Sequence, residues 1–220
     1  MGRVKLGGTC QTCPMYSSIL WDMGGTLIDT YPAVDNLLAR IGYRTSAPSD
    51  AQLSEVAALR SVSIEHAMNK LHQLYGADLD ALHAGYAELK ETWRTRPAPL
   101  MSGARRVLGA VHDAGGLNLV ATHRDRRSAE NLLAAHGIEV DDMVCAPDGY
   151  ERKPSPQMYQ VLIERHHLDP ATVIALGDRP IDVEAATAAG IRGYLLDHRG
   201  EEAGTLASLS DVLALIGERV

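Results

Sequence analysis

Apolar and polar positions along this chain fall into three successive rhythms. Near the start, Ile19-Leu20-Trp21 is an unbroken apolar run of strand length that stops at an acid, Asp22. A short continuous apolar run of this length, followed by turn residues, fits a strand. After Asp29 the period becomes helical and stays so from about Pro32 to Trp93. Val34, Leu37, Leu38 and Ile41 fall at i, i+3, i+4 and i+7 on a helix opened by Pro32. Leu53, Val56, Ala57 and Arg60 mark a second helix after Ser49-Asp50, and Ile64, Ala67, Met68, Leu71 and Leu74 a third after Ser63. Leu79, Leu82, Tyr86, Leu89 and Trp93 carry a fourth. Arg96-Pro97-Ala98-Pro99 ends this block, because two prolines cannot continue a helix.

From Leu100 helix alternates with strand, the pattern of a parallel sheet with crossover helices. Helices are expected over Ala104–Ala114, Arg127–His136, Pro156–His167, Ile181–Ala189 and about Leu206–Ile216. Strands are expected over Leu117–Thr122, near Met143–Ala146, over Val173–Leu176 and over Gly193–Leu196. With the opening run this makes five strands of an α/β, doubly wound parallel sheet, interrupted after its first strand by an inserted α-helical cap. The expected division is a flexible tail over residues 1–16, a core formed by 17–30 and 98–220, and a cap over 31–97.

Composition and charge narrow the function classes. The 220 residues, 45% hydrophobic and 22% charged, suit one α/β unit with an insertion; the absence of Phe hands the aromatic positions to Tyr and Trp. Acids outnumber Lys and Arg 28 to 21, a net charge of -7, which argues against a nonspecific nucleic-acid partner. No apolar run reaches the length of a membrane span, and Met1 to Tyr16 lacks the apolar segment of a secretory signal, so a cytoplasmic protein without a membrane partner is expected. Cys10, Cys13 and Cys145 are too few for a disulfide framework. Cys10-Gln11-Thr12-Cys13 has metal or redox spacing, but no second such pair follows, and it is read as part of the tail.

Ligands of open parallel sheets bind outside the carboxyl ends of the strands. The first strand ends at Asp22, followed by Met23-Gly24-Gly25-Thr26-Leu27. The second ends at Thr122-His123-Arg124-Asp125, the third leads to Arg152-Lys153-Pro154, and the fourth to Gly177-Asp178-Arg179-Pro180-Ile181-Asp182. Two glycines after an acid allow backbone N–H groups to converge on an anion, since the chain can adopt φ > 0 and approach a ligand closely. An aspartate beside such a cradle suggests phosphate chemistry.

Four motifs in this order, each at a strand end, resemble those of the haloacid dehalogenase superfamily, in the branch with a helical cap inserted just after the first strand. The resemblance covers roughly Ser17 to the C-terminus. It implies a hydrolase in which Asp22 is the nucleophile and forms an aspartyl-phosphate, one difficult displacement being divided into two. Thr122 would hydrogen-bond a phosphoryl oxygen, and Lys153 would pair with both that group and Asp22. Gly25, Thr26 and His123 complete the expected phosphate-binding set. The implied cofactor is Mg²⁺, held by Asp22, the backbone carbonyl of Gly24 and Asp178, with Asp182 supporting it through water or orienting Lys153. A small phosphorylated molecule is the implied partner.

One position departs from the family pattern. Phosphatases of this family usually carry a second aspartate two residues after the nucleophile as general acid and base; here it is Gly24. Such catalysis is worth roughly 10²- to 10⁴-fold, so its loss would leave slow hydrolysis that favours esters with good leaving groups. Three readings follow: a weakened or specialised Mg²⁺-dependent phosphatase, with the substrate, a water chain or a neighbour such as Asp29 or His123 carrying the proton; a dehalogenase or phosphonate-cleaving enzyme, for the second of which Lys70 and Lys90 are the candidate cap lysines; or a non-catalytic phosphate or metabolite binder. Arg124, Arg126 and Arg127 read as a solvated helix face, and His66, His72 and His83 do not share one face.

Overall fold

The computed structural model describes residues 16–197 and 205–216. The Cys10/Cys13 pair and most of the expected tail lie outside these residues. Among them, five strands form one sheet: β1 (Ser18–Trp21), β2 (Asn118–Thr122), β3 (Asp142–Cys145), β4 (Val173–Gly177) and β5 (Arg192–Leu195). Their order is β3-β2-β1-β4-β5 and every pairing is parallel. The sheet therefore grows outward in both directions from β1, and the crevice of such a sheet opens where the order reverses, at the carboxyl end of the central strand.

The all-apolar run of β1 is explained by its place, since helices cover both faces of a parallel sheet. Ile19 and Trp21 join one apolar cluster with Val120, Ile174 and Leu176, while Leu20 points the other way into a second cluster with Leu119, Ala121 and Ala175. Successive side chains of a strand alternate between faces, so one tripeptide serves two cores. Beyond β1 the chain leaves the sheet for α1 (Tyr31–Gly42), α2 (Asp50–Val62), α3 (Ile64–Tyr75) and α4 (Leu79–Thr92), the inserted helical cap. It returns through α5 (Ala104–Asp113); α6 (Arg126–Ala135), α7 (Gln157–Arg165), α8 (Pro180–Ala188) and α9 (Ser210–Leu215) alternate with the strands that follow.

Local signals set the cap helices. Ser49 and Gln52 form a reciprocal capping box at the start of α2, the Ser63 hydroxyl accepts the His66 N–H at the start of α3, and Gly76, at φ 63, closes α3. The apolar stripes then meet: Val34, Leu38, Val56, Ala67, Leu71 and Leu82 are fully buried. The outward and return connections run side by side. Asp29 N–H donates to the Pro99 carbonyl at 2.8 Å and Met101 N–H to Leu27 at 3.0 Å, around an antiparallel Ile28–Leu100 bridge.

Element ends differ from the sequence expectation where a side chain takes a backbone group. The α6 helix begins at Arg126, one residue early, because the Asp125 carboxylate caps it by accepting the Ser128 N–H at 2.9 Å. The last helix is shorter than Leu206–Ile216: Leu206 instead makes a parallel bridge to Leu196 beyond β5, and helix starts only at Ser210. Leu74, on the stripe of α3, is 60% exposed because that stripe runs past the edge of the bundle.

One buried polar link joins β1 to its neighbour. The Trp21 indole N–H donates to Asn118 Oδ1 at 3.0 Å, and Asn118 Nδ2 donates to the Leu108 carbonyl at 3.0 Å. Asn118→Ala strands the indole N–H in a dry core, and urea denaturation is expected to show a loss of about 2–4 kcal/mol.

Candidate active site

The strand ends converge on three buried charges. The Lys153 ammonium lies 2.6 Å from Asp22 Oδ1 and 2.5 Å from Asp182 Oδ1, and none of the three residues is more than 4% exposed. Asp22 comes from the end of β1, Lys153 from the loop after β3, and Asp182 from the first turn of α8. Burial by itself would lower the Lys153 pKa, but the Asp22 and Asp182 carboxylates outweigh it and hold the group well above the ordinary lysine range. Burial also pushes Asp182 up, against the pull of Lys153. Asp182 Oδ2 accepts the Arg179 N–H at 3.1 Å. Of the two roles expected for Asp182, its geometry here is that of a carboxylate orienting Lys153.

His123 is fixed by the same loop. Its Nε2 accepts the Lys153 backbone N–H at 2.8 Å, which assigns the ring proton of the neutral form to Nδ1. Burial, reinforced by the charges of Lys153, Arg179 and Arg152, pushes its pKa down to about 3. Thr122, at the end of β2, accepts the Arg124 N–H on Oγ1 at 3.1 Å, an arrangement that leaves the hydroxyl proton to be donated.

Asp178 sits across from Asp22. Its Oδ2 accepts the Tyr31 hydroxyl at 2.7 Å, and its Oδ1 is buried with no hydrogen-bond partner. Burial and the charge of Asp22 push its pKa up to about 7. An orphan carboxylate oxygen facing a second carboxylate is unfavourable until a cation joins them. Among the described residues no cluster of three or more His, Cys, Asp or Glu side chains could hold a metal. Mg²⁺, however, is bound through one or two carboxylates, waters and substrate phosphate. The Asp22 and Asp178 carboxylates and the Gly24 carbonyl are all oxygen donors and fit that requirement; of the three residues, Asp22 and Gly24 line the cavity.

The glycine turn differs from an open anion cradle. Gly25, at φ 86, has its N–H committed to the Ile28 carbonyl at 2.8 Å, so it does not face a ligand. Thr26 is fully buried, and neither residue lines the cavity. The sequence-predicted residues that do line it are Asp22, Gly24, Thr122 and His123.

The cavity has a volume of about 390 Å³ and is lined by cap and core together. Besides Lys90 and Arg124, its wall includes Tyr31, Arg60, Arg152 and Arg179, to which sequence reasoning gave no role. Arg60 forks onto Asp35 at 2.6 and 3.0 Å and stacks over the Tyr31 ring at 3.6 Å. A charge at the end of an otherwise apolar stripe was the available signal for Arg60; nothing local marked Tyr31. Lys90 pairs with Asp125 at 2.7 Å, whereas Lys70 bonds Gln73. Arg124 stacks on Trp93 at 4.8 Å, while Arg126 and Arg127 pair outside with Asp148 and Glu91. His83 reaches the wall in company with Glu65, at 3.6 Å, and Asp29 does not line the cavity.

The profile of the haloacid dehalogenase-like hydrolases matches residues 16–190. The chain belongs to that family. It is 26% identical over 191 residues to the phosphoglycolate phosphatase of Vibrio cholerae, covering 82% of this chain and 84% of that protein. It is 28% identical over 188 residues to the fructose-1-phosphate phosphatase of Escherichia coli, covering 80% and 94%. A hydrolase structure from Streptococcus pneumoniae superposes with a TM-score of 0.67 at 24% identity over 91% of this chain and 98% of that one. The protein is thus a hydrolase with the family's α/β fold.

Two outcomes follow from the buried charges. Lys153→Met leaves two carboxylates buried without their cation, which costs about 3–5 kcal/mol at pH 8. Burial already raises the Asp182 pKa, and without the pull of Lys153 it stays above the unfolded value, so the deficit shrinks as pH falls through the folded value, and urea denaturation at pH 8 and pH 5 reads the difference. His123 has the opposite sense. Its folded pKa lies below the unfolded value of about 6.5, so the stability it contributes is present above that pH and is lost as pH falls toward 3. His123→Asn should flatten the decline of the melting temperature between pH 6.5 and pH 4.

Proposed function

We propose that the protein is a Mg²⁺-dependent phosphatase that cleaves a small phosphorylated metabolite through an aspartyl-phosphate on Asp22. The observation that carries this reading is the buried Asp22–Lys153–Asp182 triad, whose Asp22 lines a cavity walled by Arg60, Lys90, Arg124, Arg152 and Arg179, together with the orphan oxygen of Asp178. The phosphatase names of the Vibrio and Escherichia relatives agree with it.

Lys153 holds one oxygen of Asp22, and the other attacks phosphorus in line with the leaving oxygen. The same ammonium offsets repulsion between the carboxylate and the incoming phosphoryl group, and the Thr122 hydroxyl and His123 Nδ1–H donate to its oxygens. Mg²⁺ bound by Asp22, Asp178 and the Gly24 carbonyl would supply charge neutralisation for the group in transfer. Asp182 keeps Lys153 pointed inward. Residues 31–97 act as a cap that closes over bound substrate and must open for exchange. The cavity volume suits a metabolite and not a polymer end.

A second reading, a non-catalytic binder of phosphate or a metabolite, rests on Gly24, which brings no proton donor to the site. Phosphonate cleavage through a cap lysine fits less well, since Lys90 is engaged by Asp125.

The two readings separate with p-nitrophenyl phosphate and Mg²⁺. Turnover that falls by at least about 10³-fold in Asp22→Asn supports the phosphatase. Absence of turnover in the wild type, with inorganic phosphate still bound, supports the binder. Titration calorimetry with Mg²⁺ is expected to show at least tenfold weaker binding in Asp178→Asn, with no assay of activity involved.

A further inference from the structure

The glycine at position 24 leaves a specific place empty of a side chain, and another residue lies beside it. A Cβ on Gly24 would stand 3.1 Å from Thr30 Oγ1, a tight contact, and 4.0 Å from Tyr31 Cε1, so the Tyr31 ring borders the space into which a carboxylate at this position would extend. A Cβ on Gly25 would collide with the same ring. The two glycines are thus the bed on which Tyr31 lies. Arg60 stacks over the ring at 3.6 Å and is itself held by Asp35, while Asp178 accepts the phenolic hydroxyl at 2.7 Å. The phenol is fixed by a stacked guanidinium and at its tip.

Among the described residues, and leaving Asp178 to the metal, no acid, imidazole or phenol around Asp22 stands where the carboxylate missing at position 24 would protonate a leaving oxygen. Tyr31 has one hydroxyl hydrogen, and it lies on Asp178. His123 is neutral and bound at Nε2, and Lys153 is shared between two carboxylates. Asp125 is paired with Lys90 and stays ionised. The remaining pair, Glu65 and His83, belongs to the cap, with exposed side chains that partner each other. We propose that Tyr31 has taken the seat of the missing proton donor without its role, and that the site works on phosphoryl groups whose leaving oxygen departs unprotonated. Those are acyl, enol and aryl phosphates, in preference to alkyl esters. This rests on the phosphatase reading and names its substrate class.

In the first step an Asp22 oxygen forms a bond to phosphorus and the bond from phosphorus to the leaving oxygen breaks. Its electron pair leaves on a carboxylate, enolate or phenolate, none of which needs a proton to depart. In the second step water attacks the same phosphorus, Asp22 leaves as carboxylate, and both water protons remain on the released phosphate, which loses one to solvent as its own acidity dictates. An alkoxide is too basic to leave in this way unaided.

The test is kcat/KM for acetyl phosphate, p-nitrophenyl phosphate, phenyl phosphate and glycerol 3-phosphate with Mg²⁺. The wild type is expected to prefer the acyl and nitrophenyl compounds over the alkyl ester by at least about 10²-fold. Tyr31→Phe keeps that gap, and Gly24→Asp alone also keeps it because the ring holds the place. Gly24→Asp with Tyr31→Ala narrows it by about tenfold or more. Alkyl turnover matching aryl turnover in the wild type overturns the proposal. So does a wider gap in Tyr31→Phe, which would make the phenol the proton donor, or a narrower one in Gly24→Asp alone. No turnover of any compound overturns the phosphatase reading itself, and this inference with it. Thermal melts establish that each variant is folded; if the double variant is not, the wild type and Tyr31→Phe decide.

Discussion

A single ammonium between two carboxylates holds this site together. Lys153 is fully buried, and so are its partners Asp22 and Asp182. Removing such charges from water costs several kcal/mol each, and their attraction in a low dielectric roughly returns it. The triad is therefore a poor device for stability and a good one for position. It pins the end of the central strand, the loop after β3 and the first turn of α8 to one point. The Lys153 backbone extends the same hold to His123.

Opposite the triad the balance is deliberately incomplete. Asp178 has one oxygen satisfied by Tyr31 and one with no partner, beside the charge of Asp22. Burial and like charge raise its pKa to about 7, and a divalent cation would relieve both. Cap and core meet around this point through contacts of unequal strength. Tyr31, Arg60 and Asp35 form a stacked and hydrogen-bonded column of half-buried and buried groups. Lys90–Asp125 and Arg127–Glu91 are more exposed pairs whose worth is small and screened by salt. Motion of the cap would break the second kind readily, while the first stays with α1 and α2.

Much of the fold was legible because burial in a parallel sheet writes continuous apolar runs, and helices packed on one side write 3.6-residue stripes. Where the stripe and the packing parted, the sequence had no way to show it. Leu74 continues the stripe of α3 but hangs past the end of its neighbours, and Leu206 is drawn into a bridge with Leu196 before α9 begins. Gly25 was marked as an anion donor by type and place. Its N–H instead closes the turn onto Ile28, a choice made by the turn's own geometry.

The sequence by itself determined the order of the elements, the strand-end positions of Asp22, Thr122, Lys153 and Asp178, and the absence of a carboxylate at position 24. These are local facts, since each depends on a run, a turn or a residue type. Only the tertiary structure decided that Lys153 is shared with Asp182, that His123 is held as a neutral acceptor, and that Tyr31, clasped by Arg60, lies on the two glycines. Each of those joins residues distant in sequence, or groups whose direction is set by packing. A chain read in one dimension carries no record of such distances.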